Sequence, residues 1–207
     1  MFDPSNPDDV LADLGAVFPA ALLRATDAAR DDLREFRTLR PGWALGMFQR
    51  EVAGFIHSRI WANLSESLSG EAGLSLRTQE PHREVTLASG PGRTYTFRVK
   101  RHSEEDRIRS YPTPTDLEFW GGADITFDGM EKVHLAAGYR WQADTGEIGP
   151  AVISYREGKE NIVWAMEIEG QAGAGVLPFS YKPIQPSLPD VDLAVAQFEQ
   201  EQERWLG

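Results

Sequence analysis

Residues 133–168 constrain the fold of this chain more than any other stretch. V-H-L-A-A-G-Y-R-W (133–141) alternates, so Val133, Leu135, Ala137, Tyr139 and Trp141 share one face of a strand. D-T-G-E-I-G (144–149) turns the chain, and A-V-I-S-Y-R follows as a second strand. E-G-K-E-N (157–161) turns it again into I-V-W-A-M-E-I, where Ile162, Trp164, Met166 and Ile168 share a face. Period-2 alternation between Gly/Asn/Asp turns is the signal of antiparallel hairpins. It implies a buried apolar sheet face and an opposite face that is partly polar.

The residues before this unit read first as helices. Ser5 or Asn6 caps a helix over 7–17, with Pro7 at its first position. Pro19 opens a second helix over 20–39, whose apolar side is Leu22, Leu23, Ala29, Leu33 and Phe36. Pro41-Gly42 stops it. A third helix over 43–68 carries Leu45, Phe48, Val52, Ile56, Ile60 and Leu64 at helical spacing, which implies one continuous core stripe. After Ser69-Gly70 the pattern becomes strands over 73–78, 83–88 and 93–101.

Residues 102–130 form a long connection of the kind that is often functional or covers a site. Within it Y-P-T-P-T reads as a non-helical bridge and D-L-E-F-W as a short strand. Residues 171–207 read as a Gly/Ala-rich loop, an extended tether and an amphipathic helix over 191–206 bearing Leu193, Val195, Phe198 and Trp205. The expectation is a single α+β domain over 1–207. It comprises a helical part (1–70), a mostly antiparallel sheet (71–170), and a tether with a C-terminal helix (171–207). Helices are expected on one sheet face, with the other face open.

Composition then narrows the function. The net charge of −11 weighs against general nucleic-acid binding, which needs Lys/Arg for phosphate. The middle of the chain is nevertheless mildly basic, with Arg77, Arg83, Arg93, Arg98, Lys100, Arg101, Arg107 and Arg109. There is no cysteine, which removes disulfides, thiolate chemistry and Cys-based zinc sites. No run of about eighteen apolar residues exists, so no membrane span is expected. The acidic, proline-rich start M-F-D-P-S-N-P-D-D lacks the features of a secretory signal, so the cytoplasm is the expected compartment. No P-loop, G-x-G-x-x-G after a strand, H-E-x-x-H, EF-hand loop or G-x-S-x-G elbow occurs. The histidines and carboxylates show no ligand spacing, so neither a metal nor a cofactor is expected.

The polar sheet face is the leading site candidate. Period 2 places Arg98, Lys100, His134, Arg140, Ser154, Arg156, Glu167 and Glu169 on it, with Tyr155 at its border depending on register. Arg98, Lys100, Arg140 and Arg156 are candidates to hold a phosphate or a charged partner. Glu167, Tyr155 and His134 are candidate catalytic groups. The competing reading of the same residues is cross-strand charge pairing. A metal-nuclease arrangement fails, because Glu169 stands where Glu167-Ile-Glu169 would need a lysine. Trp120, Tyr139 and Trp164 are candidates to line an apolar pocket.

Four segments carry a resemblance: Y-T-F-R-V-K-R-H (95–102), I-R-S-Y (108–111), G-Y-R-W-Q-A-D-T-G-E-I-G-P-A-V-I-S (138–154) and V-W-A-M-E-I-E-G (163–170). Together they resemble small uncharacterised bacterial proteins encoded beside helix-turn-helix regulators fused to zinc-peptidase-like domains. Such pairs look like toxin–antitoxin or phage-defence modules. The resemblance covers roughly residues 76–170 and contains no catalytic motif, so it implies no functional residue. It implies a cytoplasmic interaction protein that binds a cognate protein partner, with an acidic helix surface facing a basic partner. Nucleic acid is the less favoured partner. The rival expectations are a nucleotide- or RNA-directed enzyme using the basic sheet face, and a binder of a small apolar ligand.

Overall fold

The computed structural model describes residues 2–79, 82–90, 92–108, 113–120, 124–125, 131–169 and 179–181. Local chemistry explains the first helix. Asn6 accepts a hydrogen bond from the Asp8 N–H (3.1 Å), Pro7 sits at the first position, and Asp8 and Asp9 face the positive helix end. Helix α1 (Pro7–Leu14) then stops short of residue 17 because Gly15 takes φ 63°, a left-handed conformation natural to glycine at a helix end. Helix α2 (Val17–Leu39) buries Phe18, Leu22, Ala25, Ala29 and Leu33, a stripe at three- and four-residue spacing.

The expected third helix is two. α3 (Pro41–Gly46) and α4 (Gln49–Ser67) are separated by Met47 and Phe48, both in extended backbone. Gly42 and Gly46 weaken helix propensity here. The side chain of Glu51 accepts the Phe48 N–H (2.8 Å), which caps the new helix start. The buried stripe therefore begins at Ile56 and runs through Ile60, Trp61 and Leu64, with Val52 and Phe55 half-buried against the same core. Leu45 and Phe48, expected in the core, lie in solvent.

The strands are β1 (Leu74–Gln79), β2 (His82–Ser89), β3 (Arg93–His102), β4 (Asp124–Ile125), β5 (Glu131–Gln142), β6 (Glu147–Arg156), β7 (Ile162–Ile168) and β8 (Phe179–Tyr181). They form one sheet in the order β1-β2-β3-β5-β6-β7-β8, with β4 paired to β5. All neighbours are antiparallel except β3 and β5, which run parallel from Arg93↔Glu131 to His102↔Arg140. Parallel neighbours need a crossover, so the connection after β3 must pass over the sheet. Gly138 is required at this junction, because a Cβ there would lie 2.0 Å from the Lys100 carbonyl oxygen.

Helices α1, α2 and α4 pack on one sheet face. Tyr95, Phe97, Val133, Leu135, Tyr139, Ile153, Tyr155, Trp164 and Met166 meet them in one core. Phe18 stacks on Phe97 with centroids 3.8 Å apart. Polar anchors fix the helices: Asp13 of α1 accepts from Tyr95 Oη, Arg93 Nη1 and Ser89 Oγ at 2.7, 2.7 and 2.9 Å. Arg30 of α2 donates to the Ile148 and Gly149 carbonyls, both at 2.8 Å, beside the bulge in the β5–β6 ladder.

The other face is not open, contrary to expectation. The β3–β5 crossover lies across it and contains helix α5 (Pro114–Phe119), where D-L-E-F-W reads as a strand in the sequence. Thr113 explains the helix: its Oγ1 accepts the Asp116 N–H (3.1 Å), and Pro114 occupies the first position. Ile108, Phe119 and Trp120 of the crossover form a second small core with Ala136. The architecture is α+β with a mostly antiparallel sheet. The expected helix over 191–206 lies outside the described residues.

Candidate functional site

Alternation along β3, β5, β6 and β7 does place Arg98, Lys100, His134, Arg140, Ser154, Arg156 and Glu167 on one face. The crossover then closes over them and supplies Asp106 and Asp116 as partners, beside Glu84, Glu167 and the Lys159 carbonyl from the sheet and its turns. Arg98 donates from Nε to Glu84 (2.8 Å) and from Nη1 to Asp116 (3.0 Å), with its guanidinium 4.0 Å above the Phe119 ring. Lys100 donates to the same Asp116 oxygen at 3.2 Å. Arg140 forms a fork with Asp106, at 2.8 to 3.0 Å, and also binds Glu167. Arg156 donates to Ser154 Oγ (3.3 Å), to the Lys159 carbonyl (3.0 Å) and to the Asp106 carbonyl.

Burial sets the protonation of this layer. Loss of hydration lowers the Lys100 pKa, although Asp116 opposes the shift. Burial also lowers Arg156 to about 10, which leaves it cationic at neutral pH. Burial raises Asp116, but Lys100, Thr113 and Arg98 outweigh it, and the carboxylate sits below its usual range. His102 is fully buried against Ser154 Oγ (3.0 Å); burial, with Arg156 and Arg140 nearby, pushes it down to about 3. The four expected phosphate ligands are thus each engaged inside the protein. This layer is an internal ion-pair network that holds the crossover to the sheet.

The three catalytic candidates do not converge on accessible chemistry. Glu167 is bound to Arg140. His134 stacks on Phe119 at 4.5 Å and its Nδ1 donates to the Phe119 carbonyl at 2.7 Å. Tyr155 points to the opposite face, into the helix-side core beside Trp164, where burial raises its pKa. Nor do the three aromatic candidates form one pocket. Trp120 belongs to the crossover and its small core, while Tyr139 and Trp164 belong to the helix-side core. The Trp164 Nε1–H donates to the Pro4 carbonyl (2.9 Å). Among the described residues no group of three or more His, Cys, Asp or Glu side chains is placed to hold a metal ion. No described helix is long and apolar enough to cross a membrane.

Asp106 and Asp116 are the residues that sequence reasoning missed, and they organise the layer. The signal for Asp116 was present in T-P-T-D, a capping-box spacing. Asp106, at φ 60° in a run of charges, carried no such signal.

Two other regions stay open. The first is the corner between α2 and α4, where Leu39, Trp43, Leu45 and Phe48 are 64, 69, 89 and 78% exposed. Arg40 lies 5.4 Å from the Trp43 ring centroid. The second is a cleft between α4 and the end of β3. One lobe, of about 290 Å³, is lined by Gly54, His57, Val99, Ile108 and Tyr139. The other, of about 210 Å³, is lined by Gln49, Ser103, Arg107 and Trp141, and Arg101 borders both. No family model, no curated protein and no solved structure matches this chain.

Proposed function

We propose that the chain acts by binding a protein partner through the α2–α4 corner, as the cytoplasmic interaction component of a toxin–antitoxin-like or phage-defence module. One observation carries the reading: four large apolar side chains stand in solvent within residues 39–48. Clustered exposed apolar groups mark interaction sites in proteins that otherwise bury such surface. Trp and Arg are also the residues that most often dominate binding energy at interfaces. The resemblance of residues 76–170 to locus-paired bacterial proteins supplies the kind of partner.

The charge around the corner suggests its chemistry. Arg40 and Arg50 flank the patch, and neither makes an ion pair among the described residues. An apolar groove with an acidic rim would match them. The acidic residues of α2 support a basic partner less well, because Asp27, Asp31 and Asp32 are paired with Arg30, Arg34 and Arg59. The rival of a phosphate-directed enzyme finds no support in the polar sheet face, whose cations are spent on the crossover.

An affinity capture from host lysate, with and without nuclease, tests the proposal. The wild type and Leu117→Ala, which alters an exposed leucine on α5, should retain one stoichiometric protein. The Trp43→Ala/Phe48→Ala double variant should lose it while unfolding at the same temperature. Equal capture by the double variant would overturn the corner. Capture of nucleic acid in place of protein would turn the reading toward the rival.

A further inference from the structure

We propose that the cleft between α4 and the end of β3 is a binding site for a small monoanionic carboxylate with an apolar body. The body would lie in the lobe formed by Gly54, Val99, Ile108 and Tyr139, and the carboxylate would meet Arg101. Four observations converge on this assignment, and none depends on the corner.

Arg101 is the first. The cations on the polar face each hold an acid or a carbonyl, yet Arg101 makes no ion pair or hydrogen bond among the described residues. Its guanidinium lies 5.9 Å from the Trp141 ring centroid. It borders both lobes, where a planar guanidinium is suited to a carboxylate.

Tyr139 is the second. Its side chain lines the apolar lobe and is 2% exposed, but its hydroxyl has no hydrogen-bond partner among the described residues. A buried hydroxyl left unsatisfied is costly, and such groups call for an explanation. A small shift of the ring that brings the hydroxyl to the lobe surface would let a ligand oxygen supply the missing bond.

Gly54 is the third. It sits inside α4, where alanine would make the better helix. A Cβ there would meet nothing within 4 Å. Glycine is therefore not needed for packing, and its effect is to leave the lobe wide.

The rim supplies specificity. Glu104, Glu105 and Asp144 line the polar lobe, so a polyanion such as a nucleotide would be repelled. Glu105 accepts from Ser103 Oγ (2.8 Å) and Glu104 from the Ala143 N–H (3.3 Å), so these carboxylates are held in place. In the apolar lobe, Lys100 is tied to Asp116. His57 is kept neutral, down to about 4, by burial and by Arg83 and Lys100. One full negative charge at Arg101 fits this field. The lobe, at about 290 Å³, is at the lower end of ligand-site volumes and calls for a small body.

The test is an NMR titration of the ¹⁵N-labelled full chain with phenylacetate, cinnamate and hexanoate. Phenylacetamide and phenyl phosphate serve as neutral and dianionic comparisons. Saturable binding of at least one carboxylate is expected, with shifts at Gly54, Val99, Arg101 and Tyr139. Arg101→Gln should weaken it about tenfold or more, the loss expected of a charge-assisted hydrogen bond. Gly54→Leu should block it by filling the lobe. Tyr139→Phe should weaken it a few-fold and leave the amide spectrum dispersed, which separates a binding loss from unfolding. The two comparison compounds should bind less tightly. Absence of saturable binding by all three acids at millimolar concentration would overturn the site. So would shifts centred on Trp43 and Phe48, or affinity unchanged by both Arg101→Gln and Gly54→Leu.

Discussion

The polar sheet face and the α2–α4 corner invert the usual expectation for a site. The face carries Arg98, Lys100, Arg140 and Arg156, yet the crossover covers it and answers every cation. The corner carries Leu39, Trp43, Leu45 and Phe48, yet nothing among the described residues covers them. Charge on a sheet face thus says little about function until its counterions are known. Apolar exposure says more, because folding would normally remove it. In one region the fold has spent its polar groups on itself. In the other it has left apolar groups unspent.

The sharpest way to break this comparison is to remove an acid from the covered face. Asp116→Ala should destabilise the protein by about 3–5 kcal/mol, because it leaves Arg98 and Lys100 buried without their shared partner. Denaturant unfolding would measure it. A loss below about 1 kcal/mol would mean that the face behaves as a solvated surface, and the contrast with the corner would fail.

The next largest effect compares two members of one apparent stripe. Ile56→Ala should cost about 2–5 kcal/mol, since Ile56 is fully buried. Leu45→Ala should change stability by less than about 0.5 kcal/mol, as expected of a surface position. Similar losses for both would show that the corner is packed in solution.

Acid should separate the regions as well. His102 and His57 have folded pKa values of about 3 and about 4, below the ordinary histidine value of 6.5. Between roughly pH 6.5 and 4 the unfolded chain therefore binds more protons than the folded one. Stability falls as the pH drops through that window, by up to about 1.4 kcal/mol per pH unit for each histidine. Asp116 acts lower: its depressed pKa stabilises above the ordinary carboxylate range, and this is lost as pH falls below it. Urea midpoints across the window should flatten in His102→Gln. An unchanged slope in that variant would exclude His102 as a cause. Residues 39–48 include neither a histidine nor a carboxylate, so partner affinity at the corner should stay level while the protein remains folded.

The smallest effect tests what builds the corner. Glu51→Ala removes the cap on Phe48 N–H and should cost about 0.5–1 kcal/mol. Amide exchange at the first turn of α4 would report it. If exchange there does not speed up, the cap does not hold the break between α3 and α4.

Much of the fold was legible in short-range pattern. Alternation in residues 133–168 specified β5, β6 and β7, because one buried face forces a period of two. Asn6, Pro7 and the spacing of Leu22, Ala29 and Leu33 specified α1 and α2. The polar face was legible as a face: the residues grouped on it do share it. Three features depended on the tertiary structure. The crossover closes that face because β3 and β5 run parallel, and strand order rests on long-range pairing that no local window contains. The stripe from Leu45 to Leu64 is interrupted because an extended Met47–Phe48 pair outweighs its regular spacing. Finally, Arg101 has no counterion among the described residues while Arg98 has two acids, although both lie on the same strand. Sequence determines which side chains a strand presents to each side. Only the packed fold determines which acid arrives to meet them.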